Sequence, residues 1–468
     1  MSRFDCRPRR ACDRSCGAGM KPHIVVINDL AEPMGGASKL AVESALAFAR
    51  RGHAVTFIAG GSDSDLLGAA GIEVVSLQQK RLVAAGFSSS VLRGLYNRAA
   101  RDMLAAWIAQ NDHEGMVYHL HGWAQILSPS IFVPLRKVAD RLVLSAHDFF
   151  VTCPNGAMFD FRQQQRCELQ PLGTRCLMRD CDRRNRLQKG WRVARHSVLA
   201  RTRPMFDRFP PVLLIHEGMR RYLAMGGIED ADMAVLPNPV SPYCSERVEA
   251  EKNSSALFVG RIEPTKGIAQ AAEACRQAGV RLIAVGTGSL LAELAESYPE
   301  HDWVGWKPPS EIGHYASRAR VQLMPSIAIE PFGLTAVEAL WSGLPVLCSE
   351  NALLLDEIET AGAGRGIDPT DIDEFARILS IWAQKDALVR GMSINAFEGT
   401  RGIAMTADAW IDRLIESYQA LLEGGKRRLV ALYDEPARDC RGKQGSQTSP
   451  ARLHDARRTA REVRNATC

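Results

Sequence analysis

The chain has 468 residues, 46% of them hydrophobic and 24% charged. That composition excludes whole-chain disorder, a collagen-like fibre and a coiled-coil rod, and leaves room for two or three domains. A membrane span needs about 18 to 20 consecutive apolar residues. The longest stretch without Asp, Glu, Lys or Arg, Gly115–Leu135, is interrupted by His119, His121, Gln125, Pro129 and Pro134 and reads as buried strand and loop.

The formal net charge of +5 is unevenly placed. Residues 1–19 carry five Arg against two Asp, and residues 424–468 carry eleven Lys/Arg against five acids, so the two ends hold +3 and +6 and residues 20–423 are left at −4. A mildly acidic body argues against a nucleic-acid partner. Residues 1–19 lack an apolar core of the signal-peptide kind and are expected to be a disordered or non-native extension, with Met20 as an alternative start. Residues 424–468 lack apolar periodicity and are expected to be a disordered basic tail.

From Lys21 onward, short β-branched runs alternate with amphipathic helical stretches. Strands are expected at Ile24–Asn28, Ala54–Ala59, Met116–Leu120, Leu142–Ala146, Val212–Ile215 and Ala234–Leu236, with a helix over Lys39–Arg51 after the Gly35-Gly36 turn. A second series follows, with strands at Ala256–Val259, Arg281–Val285, Trp303–Val304, Val321–Met324 and Val346–Cys348. Its helices are expected at Gly267–Ala278, Leu290–Tyr298, Glu311–Ser317 and Thr335–Trp341. The expected fold is therefore α/β, two doubly wound parallel-sheet domains facing a cleft. Residues 20–240 form the acceptor-side domain, with a Cys-rich insertion at 150–208. Residues 241–400 form the donor-side domain, and 401–423 a crossover helix expected from about Ile403 to Leu422.

The chemistry concentrates past the strand ends of the second series. The segment Ser326–Leu340 enters a helix near Leu334, so free amides of Gly333, Leu334 and Thr335 and the positive helix end suit a diphosphate. Glu338, one turn in, suits a ribose hydroxyl pair. Glu330 precedes the helix, where a carboxylate can accept sugar hydroxyls or steady a developing oxocarbenium ion. Arg261 and Lys266, between a strand and the next helix, can neutralise a diphosphate leaving group. Taken singly, each of these charges also reads as an ordinary solvated surface residue.

The ordered set Gly260-Arg261, Lys266-Gly267, Val285-Gly286-Thr287-Gly288, Val304-Gly305 and Glu330 followed by Glu338 resembles the retaining nucleotide-sugar glycosyltransferases of the GT-B fold, family 4 type. The resemblance covers about residues 20–423 and is strongest over 256–350. It implies that Arg261 and Lys266 hold the diphosphate, that Glu338 binds ribose and that Glu330 contacts the donor sugar, while the backbone near Gly288 and Val304 flanks the base. It also implies that Gly36, in the loop after the first strand, approaches the donor phosphate and that His121 is the active-site histidine. The implied activity is transfer of a sugar, with retention, from a nucleotide-diphosphate donor to a hydroxyl of a glycan or lipid-linked acceptor. No cofactor is implied for catalysis. One departure is Asn238-Pro239, where the family often has Asn-Gly.

Cys153, Cys167, Cys176 and Cys181 are candidate ligands of a structural zinc; an iron–sulfur cluster or buried reduced thiols remain alternatives. Residues 160–208 hold thirteen Lys/Arg against five acids, a local +8 that suits anionic lipid headgroups or a diphosphate-linked acceptor. The expected setting is the cytoplasm, at the inner face of the plasma membrane, in cell-surface or exopolysaccharide synthesis. A nucleotide-sugar epimerase or a non-catalytic sugar-nucleotide binder is the competing reading on the same architecture.

Overall fold

A computed structural model of the chain describes residues 21–82, 87–207 and 209–434. The extension at 1–19 and the tail beyond Asp434 lie outside the described residues.

The N-terminal lobe is built on β1 (His23–Asn28), β2 (Val55–Ala59), β3 (Glu73–Ser76), β4 (Met116–Leu120) and β5 (Leu142–Ala146). After the short antiparallel pair β6 (Phe159–Asp160) and β7 (Gln165–Arg166), the sheet is completed by β8 (Val212–Leu214) and β9 (Met233–Val235). The order is β3-β2-β1-β4-β5-β8-β9, and every ladder is parallel. The C-terminal lobe has β10 (Ser255–Val259), β11 (Leu282–Val285), β12 (Asp302–Gly305), β13 (Ala319–Met324), β14 (Val346–Ser349) and β15 (Gly364–Ile367). Its order is β12-β11-β10-β13-β14-β15, again all parallel. Central strands such as Ile24–Ile27 and Val321–Met324 are almost wholly inaccessible, as strands covered on both faces must be.

In such sheets the order reverses at one point, and ligands bind outside the carboxyl ends there. The reversal falls between β1 and β4 in one lobe and between β10 and β13 in the other. The chain leaving those strands is Asp29–Gly36, His121, Gly260–Lys266 and Pro325–Thr335, so topology alone brings most of the candidate residues to two facing edges.

The expected crossover helix is longer than its sequence pattern suggested. It runs over Ala407–Asp434, with a break in helical geometry at Gly425 (φ 67°, ψ −169°). Trp410, Leu414, Tyr418, Leu421, Leu429 and Val430 are buried with the N-terminal β1–β2 layer. The disordered tail placed at 424–468 is thus corrected for 424–434: Gly424-Gly425 kinks the helix, and the apolar spacing resumes beyond it. The N-terminal side of the same helix is tied by Arg51 to Asp408 and Asp412, at 3.0 and 3.2 Å. Where the chain changes lobes, Pro239 pairs with Met405, and the Val240 amide donates to the Met405 carbonyl.

Candidate active site

A cavity of about 270 Å³ lies between the lobes. Gly36, Ala37, Leu40, His147, Ile215 and Asn238 form its N-terminal wall. Opposite them stand Gly260, Lys266, Ser326, Glu330 and the start of the helix Leu334–Trp341.

Lys266 and Glu330 are joined directly. Lys266 Nζ lies 2.5 Å from Glu330 Oε2, which also accepts from Ser326 Oγ at 2.9 Å. Burial alone would raise the Glu330 carboxyl, but Lys266, the Ser326 hydroxyl and the charge of Arg261 more than offset it and hold the group below its ordinary range. The site therefore keeps a carboxylate charged beneath two cations. Lys266 closes a short turn, Pro264–Lys266, that passes into the next helix through Gly267 at φ 68°. A Cβ at Gly267 would collide with the Pro325 carbonyl, so glycine is required for this loop to lie against the Glu330 loop. Arg261, next to the cavity wall, is exposed.

The helix Leu334–Trp341 starts from Gly333 at φ 71° with no side-chain cap and no acidic residue in its first turn. A Cβ on Gly333 would stand 2.6 Å from Met324 Sδ. Gly333, Leu334 and Thr335 line the cavity, so the positive end of this helix faces it. Glu338 lies deeper. Burial raises its carboxyl, opposed by a hydrogen bond from Tyr243 and by the charge of Lys39 from the other lobe. The Tyr243 hydroxyl lies 3.1 Å from the Thr335 carbonyl as well, and nothing in the sequence pattern marks this residue.

On the N-terminal side, Gly36 opens the helix Gly36–Arg50 and has open space around it. His121 is 5% exposed, and its Nδ1 is 3.1 Å from His147 Nε2. His119 lies behind, bonded to Tyr418 at 2.6 Å and Ser145 at 2.8 Å. Burial holds all three imidazoles neutral, with His119 lowered to about 3, His147 to about 4 and His121 well below the ordinary histidine value. Asp29, just past β1, accepts the amides of Gln125, Ile126 and Leu127 at 2.7 to 2.8 Å and so fixes the loop that follows His121. The neighbouring Asp148, itself exposed, is raised to about 6, because the protein packed around the cleft outweighs its bond from the Phe150 amide and the nearby charge of Arg195.

Five expected residues do not line the cavity: His121, Arg261 and Glu338 stand beside lining residues, and Val304 and Gly288 lie elsewhere. Val304 lines a separate recess with Arg281, Trp303 and Tyr315. Gly288 packs against the Ile262 carbonyl, where any Cβ would clash.

The four cysteines come together around one buried ammonium. Lys189, 4% exposed, places Nζ 3.1 Å from Cys181 Sγ and 3.7 Å from Cys176 Sγ, while Cys153 bonds Asn155 Oδ1 at 3.1 Å. Burial would lower the Lys189 ammonium, but its bond to Cys181 and the neighbouring sulfurs outweigh burial and raise it above its ordinary value. Every described cysteine is free, and among the described residues no group of three or more His, Cys, Asp or Glu side chains is arranged to hold a metal ion. Thiols are the right donors for zinc, but here they are arranged around Lys189, so the zinc expectation gains no support from the geometry. The insertion instead reaches the opposite lobe: Arg183 pairs with Glu263 at 3.0 Å, and Arg166 bonds Asn351 at 3.0 Å and the Glu350 carbonyl. Asn351 in turn holds the Ile327 carbonyl and accepts from the Glu330 amide.

Two doubly wound lobes with a phosphate-type helix end facing a histidine-lined wall define the GT-B class of glycosyltransferase fold. Residues 245–398 match the family model described as glycosyl transferases group 1. A sucrose-phosphate synthase from Thermosynechococcus elongatus superposes with a TM-score of 0.62 at 16% identity, covering 86% of this chain and 99% of that one. Anabaena HepE in complex with UDP and glucose gives 0.58 at 16% identity, covering 85% and 100%. Among curated relatives, an O-antigen chain mannosyltransferase B of Escherichia coli is 30% identical over 134 residues, 26% of this chain and 34% of that protein. A D-inositol 3-phosphate glycosyltransferase of Thermobifida fusca is 27% identical over 190 residues, 36% of this chain and 42% of that protein. The chain thus spans less than half the length of these curated relatives. Among the described residues no helix is long and apolar enough to cross a membrane.

Proposed function

We propose that the protein transfers a sugar from a nucleotide-diphosphate donor to a hydroxyl of a glycan or lipid-linked acceptor, with retention at the anomeric carbon. The observation that carries this reading is the Lys266–Glu330 pair set against the open helix start at Gly333–Thr335, facing the other lobe across the cavity. The diphosphate lies on the amides of Gly333, Leu334 and Thr335 with Lys266 and Arg261, which disperse its charge as the C–O bond to the sugar breaks. Glu330, charged and held by Lys266, sits where positive charge develops on the sugar ring. Lys266 then turns from Glu330 toward the departing phosphate. The acceptor hydroxyl forms its new bond on the face the phosphate leaves, and its proton passes to a phosphate oxygen. Glu338, beside Tyr243, holds the ribose hydroxyls, Gly36 lets the N-terminal loop approach the phosphates, and His121 contacts the donor. The cations and amides do the neutralising, so no metal cofactor is called on for the chemistry.

Work in cell-surface polysaccharide synthesis is supported by the mannosyltransferase relative and by a Klebsiella pneumoniae protein encoded in a cps region, 28% identical over 162 residues. Contact with an anionic membrane at the inner face of the plasma membrane is supported by Met178 and Leu187, 71% and 86% exposed on the arginine-rich insertion. A thermal-shift screen of UDP-, GDP- and ADP-sugars tests the reading, because ligands bound only by the folded state raise its melting point. Stabilisation by one class, followed by transfer that fails in Glu330→Ala, supports it. No stabilisation by any nucleotide, or full transfer in that variant, refutes it.

A further inference from the structure

The loop that carries Glu330 is not held by the C-terminal lobe alone. Its backbone is pinned on both sides by the turn after β14: the Glu330 amide donates to the Asn351 carbonyl at 3.2 Å, and the Leu353 amide donates to the Glu330 carbonyl at 3.0 Å. Asn351 adds a side-chain bond, from Nδ2 to the Ile327 carbonyl at 2.7 Å. The turn is in its own right braced from the N-terminal lobe. Arg166 Nε donates to Asn351 Oδ1 at 3.0 Å, and its Nη2 donates to the Glu350 carbonyl. Just beyond, His216 Nε2 lies 3.0 Å from Glu357 Oε1, on the helix Leu355–Thr360 that follows the turn.

Donor and acceptor chemistry makes this contact directional. A guanidinium only donates, so the Asn351 atom that faces it must be the amide oxygen. The NH2 group is thereby turned to the Ile327 carbonyl, which only accepts. One arginine thus selects the asparagine orientation that ties the turn to the Glu330 loop. Both acceptors of Arg166 are neutral oxygens of the far lobe, bound by a charged donor, the stronger class of hydrogen bond. The arm that carries Arg166 is firmly rooted. Met158 and Phe159 are buried, the Cys167 amide donates to the Met158 carbonyl at 2.8 Å, Asn155 Nδ2 donates to the Phe159 carbonyl at 2.9 Å, and Arg179 pairs with Asp160 at 2.5 Å. A rigid arm on one lobe therefore ends on the turn that sets a reactive loop of the other.

We propose that Arg166 is a positioning residue: docking of the insertion on the turn after β14 sets Glu330 in place, so the carboxylate is completed only when the two lobes are together. A donor held by the C-terminal lobe alone then meets an unfinished site, which limits its loss to water. This rests on the proposed role of Glu330 toward the donor sugar, and two readouts separate the claims. Hydrogen exchange over peptides covering 326–333 and 349–354 should quicken about 10-fold in Arg166→Ala and stay at the wild-type rate in Arg183→Ala, which cuts a different contact of the same insertion. Peptides from β1 and β4 should exchange as in wild type in both, which confirms the fold. Calorimetric titration with UDP, GDP and ADP and with UDP-glucose, GDP-mannose and ADP-glucose gives the second readout. In Arg166→Ala the diphosphate should bind as in wild type, while the extra affinity contributed by the sugar should fall about 3- to 10-fold. Arg166→Lys, which can keep one of the two bonds, should recover part of it. Unchanged exchange in Arg166→Ala, equal quickening in Arg183→Ala, an equal loss for diphosphate and sugar nucleotide, or a sugar that adds nothing in wild type overturns the inference. If no diphosphate binds the wild type while exchange behaves as expected, the donor site falls, and Arg166 is left as a structural brace between the lobes.

Discussion

The two lobes share a plan and differ in where their chemistry is stored. In the C-terminal lobe the candidate residues follow β10 and β13 in short, glycine-governed loops, and the match to the group 1 family lies wholly within residues 245–398. In the N-terminal lobe the strand ends carry the buried His119, His121 and Asp29, the half-buried His147 and the exposed Asp148, overlaid by an insertion that has its own buried ammonium and thiols. On the proposed function this contrast has a reason. A diphosphate makes the same demand in many sugar donors, and compact backbone amides with a cation suit it, whereas a particular sugar or acceptor demands particular side chains.

The sharpest way to break this contrast is to remove the charge pair. Lys266→Ala and Glu330→Gln should each lower turnover by about 100-fold or more, the scale of losing one preorganised electrostatic contact, measured in a sugar-transfer assay with the donor selected by thermal shift. Wild-type rates would mean the donor chemistry lies elsewhere.

Next in size is a pair of glycines. Gly267→Ala forces a Cβ against the Pro325 carbonyl at φ 68° and should cost about 2 kcal/mol or more in urea unfolding. Gly36→Ala meets open space and should cost under about 1 kcal/mol. Equal costs would show that the donor loop is no more constrained than the loop facing it.

Acid should act through the N-terminal lobe. His147 and His119 are lowered by burial to about 4 and about 3. Between pH 6.5 and about 4 the unfolded chain takes up protons that these folded rings refuse. Their contribution is therefore complete above pH 6.5 and is lost as the pH falls toward the folded values. The melting temperature should drop across that window, and less so in His147→Gln. Asp148, raised to about 6, runs the other way, since its carboxyl is protonated in the folded chain while still ionised in the unfolded one. Asp148→Asn should raise the melting temperature more at pH 7.5 than at pH 4.

The smallest effect belongs to a contact that joins the lobes. The Arg183–Glu263 pair is half exposed on the arginine side, so Arg183→Ala should change stability by under about 1 kcal/mol and leave nucleotide affinity unchanged. A large loss would make the insertion part of the donor site.

How much of this was legible in the sequence follows from range. Met116–Leu120 and Leu142–Ala146 were read to the residue, because a buried strand announces itself within five positions. Gly333, Leu334 and Thr335 were read as a helix start from local pattern. The Lys266–Glu330 bond spans 64 residues, and Tyr243 meets Thr335 across 92, distances over which spacing says nothing. Asn238 was visible only as an unusual hinge step, because a cavity wall exists only once its surroundings are assembled. The helix beyond Gly424-Gly425 was misread because two glycines usually end a helix, and the burial of Leu429 and Val430 overrides that preference.

The return of the last helix to the first lobe has a mechanical consequence. The lobes are joined by two strands of chain, the outgoing one at Asn238-Pro239 and the incoming one at Met405, and these are bonded side by side. A single tether would let one lobe swivel freely on the other. Two adjoining tethers resist twisting and leave bending about the line between them as the easy motion, so the molecule is built to open and shut like a book on its spine.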